Sequence, residues 1–239
     1  MQITTRIENK TAGPQAFNKI ASRYDLATSM SQGYAADLDA SVAGLRLRGD
    51  EYALDLCCGT GKSTRALLDR LPRGRVLGLD NSEGMLHEAR RKFADEVKAG
   101  RAGFILRDAM DPGLAEGQFD IVFAAYGLRN MPDYPRFLAN THRLLKPGGQ
   151  LCIHDYSLAD TAWSKPYWTV LGYGFIVPFC TVMTGSSRIF TYLVQSVLAF
   201  PSPKSIERLM SDAGYGSVGS RPHKGWRGPI LHTFTGVKA

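Results

Sequence analysis

Between Tyr52 and Ile153 the chain alternates short apolar runs with amphipathic stretches five times, and this alternation restricts the fold more than any other feature of the sequence. Tyr52–Leu56, Arg75–Leu79, Phe104–Leu106, Phe119–Ala124 and Leu151–Ile153 read as strands. Between them lie a helix from about Ser63 to Leu71 and a second with Met85, Leu86, Ala89, Phe93 and Val97 at helical spacing. A third carries Phe137, Leu138, Thr141, Leu144 and Leu145 and is stopped by Lys146-Pro147-Gly148-Gly149. Such alternation predicts an α/β fold, a mainly parallel sheet covered by helices on both faces. Residues 14–48 read as two helical segments ahead of the first strand. After Ile153, a helix bearing Ile206, Leu209, Met210 and Ala213 precedes two strand-like segments, Tyr215–Arg221 and Pro229–Val237. No internal repeat breaks the pattern, so residues 1–239 read as one domain.

Composition excludes several classes. A 239-residue chain buries enough surface to need no disulfide staples, and its four cysteines show no C-x-x-C pair, which argues against zinc ribbons and a secreted framework. The first ten residues lack an apolar signal core, so a cytoplasmic location is expected. The net charge of +7 comes from scattered residues, with Arg90-Arg91-Lys92 the one short run, and reads as a solvated basic surface. From Pro166 to Ser187 there is no charge at all, but Gly172, Gly174 and Pro178 interrupt the stretch, which argues against a membrane-spanning helix. Residues 158–200 are expected to form a buried lid or a channel for an apolar substrate.

In a sheet of this kind the ligand binds at the carboxyl ends of the strands, so the first turn, Asp55 to Thr64, decides its class. Gly61-Lys62-Ser63 imitates the end of a phosphate loop, yet Leu56 occupies a position that pattern reserves for glycine, and the Asp55 carboxylate would repel a polyphosphate. A dinucleotide fingerprint fails at Thr64, where a third glycine is required. S-adenosylmethionine suits the acids better: it has no phosphate, but it has an ammonium, a sulfonium, a ribose diol and an adenine. Asp55 would help hold the cationic end while Gly59 and Gly61 let the backbone approach closely. Asp80, at the end of the second strand, would take the ribose hydroxyls. Asp108 would accept from the adenine amino group, with the Ala109 N–H facing a ring nitrogen. A single acid at a strand end is ordinarily a cap or turn former; three in succession favour the ligand.

Leu54–Gly61, Gly78–Leu86, Arg107-Asp108-Ala109 and Leu144–Gly149 resemble class I S-adenosylmethionine-dependent methyltransferases. Phe17–Asp25, Tyr126-Gly127-Leu128-Arg129-Asn130 and Tyr192–Val197 are similar to the ubiquinone/menaquinone-biosynthesis C-methyltransferases, the UbiE/COQ5 family, over nearly the whole chain. The resemblance implies a Rossmann-like sheet of seven strands with a C-terminal antiparallel hairpin, N-terminal helices and a helical lid insertion. It places Thr60, Asn81, Met85 and Tyr126 with Asp55, Gly59, Gly61, Asp80, Asp108 and Ala109 at the cofactor, and Tyr24 on a lid over it. It points to Arg129 as the group that stabilises loss of a quinol proton. An arginine stays protonated, so its expected role is electrostatic. Asn130 would orient the ring oxygen, Tyr126 would pack on the substrate or the sulfonium, and Asp155 and His154 are further candidates for proton handling. For His154 the competing reading is a buried strand histidine with a satisfied hydrogen bond. Lys62 departs from the family, which commonly has an acid there, and His154 is unexpected before Asp155-Tyr156-Ser157.

The implied acceptor is a lipophilic small molecule, most simply a prenylated quinol. The sequence leaves open a peripheral contact with the inner face of the membrane and a homodimer. Nucleic acid is disfavoured, because the segment after the fourth strand lacks the Pro-Pro-aromatic stretch of amino-nitrogen methylation and the Pro-Cys of cytosine chemistry. No metal is implied, the histidines having no ligand spacing. Two other readings remain: a lipid or secondary-metabolite methyltransferase on the same scaffold, and a cofactor-binding protein without activity.

Overall fold

The computed structural model describes residues 33–185 and 187–239. Helix α1 (Tyr34–Val42) is followed by β1 (Tyr52–Leu56), α2 (Lys62–Arg70), β2 (Arg75–Asp80), α3 (Glu83–Lys92), α4 (Ala94–Lys98), β3 (Ala102–Leu106) and β4 (Phe119–Ala125). Then come α5 (Tyr134–Leu144), β5 (Leu145–Tyr156), α6 (Ser164–Leu171), α7 (Val177–Thr184), α8 (Arg188–Ala199), α9 (Pro203–Asp212), β6 (Tyr215–Pro222) and β7 (Leu231–Lys238). The seven strands form one sheet in the order β3-β2-β1-β4-β5-β7-β6. β1 to β5 are parallel to their neighbours, and β7 enters antiparallel between β5 and β6. This is the Rossmann-like, seven-stranded sheet with a C-terminal antiparallel hairpin that the resemblance implies. The strand order reverses between β1 and β4, which opens a crevice at their carboxyl ends.

Apolar residues fill both faces. Phe119, Phe137, Leu138, Ile206, Met210 and Phe234 pack on one side under α5 and α9. Leu38, Val42, Leu67, Leu71 and Phe123 pack on the other under α1 and α2. Of the helical segments expected over residues 14–48, α1 is present, and the part before Gly33, with Tyr24, lies outside the described residues.

Three details differ from the sequence reading. The helix expected to run through Val97 breaks at Phe93 into α3 and α4; the Phe93 ring packs on Phe104 while Val97 is left 41% exposed, so the apolar periodicity outruns the helix. β5 begins at Leu145 and not at Leu151, because Leu145 already pairs with Phe119; the register shifts across Lys146–Gly149 before Gln150 meets Ile121. The uncharged stretch is buried on one side only. Trp168, Val194 and Val197 pack with Leu158, Ile230 and Leu231, whereas Val170 is 73% exposed, Phe175 60% and Val182 85%. No described helix is long and apolar enough to cross a membrane.

The turn that leads β1 into α2 needs backbone torsions few residues tolerate. Cys57, Gly59 and Gly61 have φ of 59°, 53° and 87°. A Cβ on Gly61 would lie 2.4 Å from Phe93 Cε2, whereas one on Gly59 would meet nothing within 4 Å. Gly59→Ala is therefore expected to cost about 1–2 kcal/mol for the left-handed backbone alone. Gly61→Ala should cost roughly 1–3 kcal/mol more from overpacking against Phe93. Urea unfolding of the two variants checks the order, and equal losses would show that the Phe93 contact carries no weight.

Candidate functional site

Asp55, the next-to-last residue of β1, has no exposed surface. Its Oδ2 accepts from the hydroxyls of Ser63 at 2.8 Å and Thr64 at 2.6 Å, both in the first turn of α2. Its Oδ1 is buried with no hydrogen-bond partner. Burial pushes the carboxyl up to about 7, against the pull of the two hydroxyls, with Asp80 adding repulsion. A buried acceptor without a donor is costly, and an ammonium group supplies both the donor and the missing charge.

Asp80 closes β2. Its Oδ2 accepts from the Gly59 N–H at 2.8 Å and its Oδ1 from the Ser82 N–H at 2.9 Å, which ties the glycine turn to the end of the second strand. Burial raises its pKa, and the N–H groups of Gly59, Ser82 and Asn81 oppose that. Each carboxylate oxygen keeps a lone pair beyond its backbone N–H, as a diol requires. Asn81 is exposed beside it, and Met85 lies buried in the first turn of α3, its N–H on the Ser82 capping hydroxyl. Asp108 is exposed past the end of β3 and binds the Met110 N–H at 2.8 Å, with Ala109 buried between them. Thr60 is buried within the turn. The structure thus gathers Asp55, Gly59, Thr60, Gly61, Asp80, Asn81, Met85, Asp108 and Ala109 along one edge of the sheet, and their donor and acceptor set fits S-adenosylmethionine. Cys57 and Cys58 are packing groups: burial raises both thiols well above their ordinary range.

A second cluster sits at the ends of β4 and β5. The turn Leu128–Asn130 is a single 3₁₀ turn that buries Arg129. The Arg129 N–H donates to Asp155 Oδ2 at 3.0 Å, and Nε lies 3.4 Å from Asp155 Oδ1 as an ion pair lacking hydrogen-bond alignment. Nη1 donates to Ser196 Oγ on α8 at 2.7 Å and to Asn130 Oδ1 at 3.3 Å. Asp155 is fully buried; burial raises its pKa and the Arg129 charge lowers it. The Asn130 amide is engaged at both ends: Oδ1 accepts from Tyr192 Oη at 3.1 Å, and Nδ2 donates to the Tyr126 carbonyl at 3.1 Å. In this structure Asn130 braces the Arg129 turn. Tyr192 and Ser196, one helical turn apart on α8, were visible in the sequence only through the resemblance, since their partners lie more than 60 residues away.

Tyr126 has φ 55°, a left-handed backbone that is a genuine outlier for an aromatic residue. Its ring stacks on Tyr34 at 5.1 Å and leans on Tyr156 at 5.3 Å, and its hydroxyl meets His154 Nε2 at 2.9 Å. His154 is fully buried and its other nitrogen lies 2.9 Å from Ser41 Oγ, so its hydrogen bonds are satisfied. Lys62 stands over the Tyr34 ring, 5.2 Å from its centre. Sequence reasoning missed Tyr34, Ser41, Ser63 and Thr64; the last two follow directly after the glycine turn, where a hydroxyl on one turn of helix faces the strand-end acid.

The comparisons with known proteins agree with this geometry. The model of the ubiE/COQ5 methyltransferase family matches residues 5–238. The demethylmenaquinone methyltransferase of Lactococcus lactis is 34% identical over 223 residues, covering 91% of this chain and 87% of that protein. The ubiquinone/menaquinone biosynthesis C-methyltransferase of Dinoroseobacter shibae is 28% identical over 235 residues, covering 94% of each. Among solved structures, an S-adenosylmethionine-dependent methyltransferase of Thermotoga maritima superposes with a TM-score of 0.65 at 16% identity, covering 95% of this chain and 99% of that one. The [4+2]-cyclase SpnF superposes at 0.68 with 14% identity, covering 94% of each chain, so the shared fold does not name the reaction. The sequence matches, with the strand-end acids and glycine turn in place, do so: this chain is an S-adenosylmethionine-dependent methyltransferase and belongs to the ubiE/COQ5 methyltransferase family.

Proposed function

We propose that this enzyme methylates a ring carbon of a prenylated quinol. The observation that carries the reading is Arg129: a buried guanidinium with a donor held out of hydrogen-bond alignment, next to a helical layer that is apolar and free of acids from Thr161 to Ile206. Its relatives' names, which include demethylmenaquinone methyltransferase, supply the acceptor class. When bound, S-adenosylmethionine supplies an electrophilic methyl carbon. The chain's own residues prepare the acceptor. A quinol carbon becomes nucleophilic as its hydroxyl takes on anionic character, and a fixed cation in a water-poor site favours that character strongly. Asp155, Ser196 and Asn130 hold Arg129 at three points, so it has little reorganisation left to do. Asp55 and Asp80 would anchor the cofactor's ammonium and ribose, with Asp108 and Ala109 at its adenine.

The acceptor is tested with methyl-deuterated S-adenosylmethionine and a reduced lipid extract, read by mass spectrometry. Label on a quinone ring supports the reading, and label confined to phospholipid sinks it. For Arg129, the substitution Arg129→Lys, which keeps a charge for Asp155, should lower kcat roughly 10²–10³-fold while leaving cofactor affinity unchanged. A parallel loss of cofactor affinity would instead place Arg129 at the cofactor.

Asp55 gives the affinity a pH dependence. In the ligand-free protein this carboxyl is neutral below about 7, and the ammonium needs it ionised. Affinity for S-adenosylmethionine should therefore rise as pH rises towards neutrality, with roughly a tenfold loss per unit below about pH 7. Calorimetric titration across that range should show the slope in the native protein and none in Asp55→Asn, which should bind weakly throughout. The same slope in both would assign the titration to another group.

The outward face of α6 and α7 fits the surface where such an acceptor resides. Trp163, Val170, Phe175 and Val182 are exposed, and the flanking charges Lys165 and Arg188 are both positive, which matches an anionic bilayer interface. Sedimentation with phosphatidylglycerol vesicles should retain the protein, phosphatidylcholine vesicles should retain less, and Trp163→Ser with Phe175→Ser should abolish retention. Undiminished binding by that double variant would move the contact elsewhere.

A further inference from the structure

His154 and Asp155 leave the end of β5 on opposite faces of the sheet. Asp155 goes to Arg129, and His154 starts a line of hydrogen bonds that the mechanism above does not use. Tyr126 Oη lies 2.9 Å from His154 Nε2, and His154 Nδ1 lies 2.9 Å from Ser41 Oγ on α1. Ser41 Oγ lies 2.7 Å from Thr233 Oγ1 on β7, and Thr233 Oγ1 lies 2.8 Å from His223 Nε2. His223 Nδ1 ends the line 3.2 Å from Asp37 Oδ1, a carboxylate also paired with Arg227 and partly open to solvent. Five contacts join six side chains from four parts of the chain.

One arrangement of hydrogens satisfies all of them in a single direction. Tyr126 O–H donates to His154 Nε2, His154 Nδ1–H to Ser41 and Ser41 O–H to Thr233. Thr233 O–H then donates to His223 Nε2, and His223 Nδ1–H to Asp37. Ser41 has two alternative acceptors: His223 Nε2 at 3.5 Å, a second route that bypasses Thr233, and the Asp37 carbonyl at 2.9 Å, so the line can be opened or closed by rotating one hydroxyl. Both imidazoles are held neutral, as a relay needs: burial above all lowers His154 well below the ordinary histidine range, with His223 and Arg227 adding repulsion, and burial outweighs Asp37 at His223. A neutral imidazole accepts at one nitrogen while it donates from the other. The left-handed backbone of Tyr126 puts its hydroxyl at the head of this line, immediately before the turn that carries Arg129.

We infer that Tyr126, His154, Ser41, Thr233, His223 and Asp37 form a proton relay that carries the proton released by methyl transfer from the buried site to solvent. The inference rests on the C-methylation reading for its chemistry. A bond forms between the ring carbon and the methyl carbon, and the sulfur–methyl bond breaks with its electron pair staying on sulfur. The hydrogen on that ring carbon leaves as a proton, so one proton departs per turnover. Tyr126 Oη takes it and passes its own proton to His154 Nε2, each later group does the same, and Asp37 passes the last to water. Tyr126 is the catalytic residue of the set; the other five act through it.

Ser41→Ala interrupts both routes from His154 with little change in volume, and His154→Gln removes the two-nitrogen relay. Single-turnover methylation of reduced demethylmenaquinone with a short side chain should slow by roughly tenfold to a hundredfold in each. Affinity for S-adenosylmethionine and KM for the quinol should stay within about twofold, and the solvent deuterium isotope effect of the native enzyme should change. Native rates and isotope effects in both variants would overturn the relay, as would equal losses of affinity and turnover, which mark a packing role. The ¹⁵N spectrum of labelled native protein gives an independent reading that needs no acceptor. His154 should be neutral with its proton on Nδ1 at neutral pH, and a proton on Nε2 would overturn the relay. Absence of native turnover on the quinol would overturn the acceptor reading and with it the source of the relayed proton, whereas native turnover with the proton on Nε2 would overturn the relay alone.

Discussion

Asp155 is a carboxylate with no exposed surface, and the end of the sheet is arranged around meeting its charge. Removing a carboxylate from water costs several kcal/mol unless a partner charge and hydrogen bonds replace the solvent. Arg129 supplies both, through its backbone N–H and its guanidinium, and the Tyr156 N–H adds a third contact. That demand fixes the turn after β4, because the Arg129 N–H reaches Asp155 only when residues 128–130 curl into a 3₁₀ turn. It then fixes α8, whose Ser196 takes the far end of the guanidinium, and through Asn130 it fixes Tyr192. Removing the arginine would leave the acid buried alone, so the pair is held in place by its own cost. The same cost keeps a positive group buried beside the turn after β4, where the proposed acceptor chemistry needs one.

Asp55 shows the opposite arrangement. It too is fully buried, but its neighbours are two hydroxyls and no cation, and one oxygen is left without a donor. The two acids sit at the ends of β1 and β5 with similar burial and different compensation. One is a completed ion pair and the other is half of one. A ligand that brings a cation to β1 would gain there what the protein already provides itself at β5.

Much of this was legible in the sequence because its signals are local. The five strand–helix alternations, the two closing strand-like segments and the three strand-end acids depend on periodicity and on residues within a turn of each other; the seven-stranded sheet with its antiparallel hairpin was implied by the resemblance alone. The acids' partners were less visible. Ser63 and Thr64 sit eight and nine residues from Asp55, on the far side of a left-handed turn. Ser41, His223 and Thr233 meet His154 only because α1 and β7 pack on β5, which no spacing rule conveys. The uncharged stretch misled in an instructive way. Absence of charge signalled contact with something apolar, and the sequence could not say that Val170, Phe175 and Val182 point away from the core.

The similarity to a cyclase of the same fold shows that the sheet itself does not fix the reaction. The crevice at β1 and β2 serves any reaction that needs the same ligand, so it cannot carry the choice of acceptor. On the proposed reading that choice rests with the Arg129 turn, the layer formed by α6 to α8, and the polar line behind His154. A buried chain of two imidazoles and two hydroxyls is a poor way to gain stability, since apolar residues of similar volume serve at least as well. The proposed relay gives its presence a reason. A site that takes up a cationic donor and an uncharged acceptor and returns two uncharged products must dispose of one positive charge, and the path from Tyr126 to Asp37 runs through the face of the sheet opposite to Arg129. The route leaves the Arg129 guanidinium on the other face, and at its outer end the Asp37 carboxylate offsets the Arg227 guanidinium paired with it.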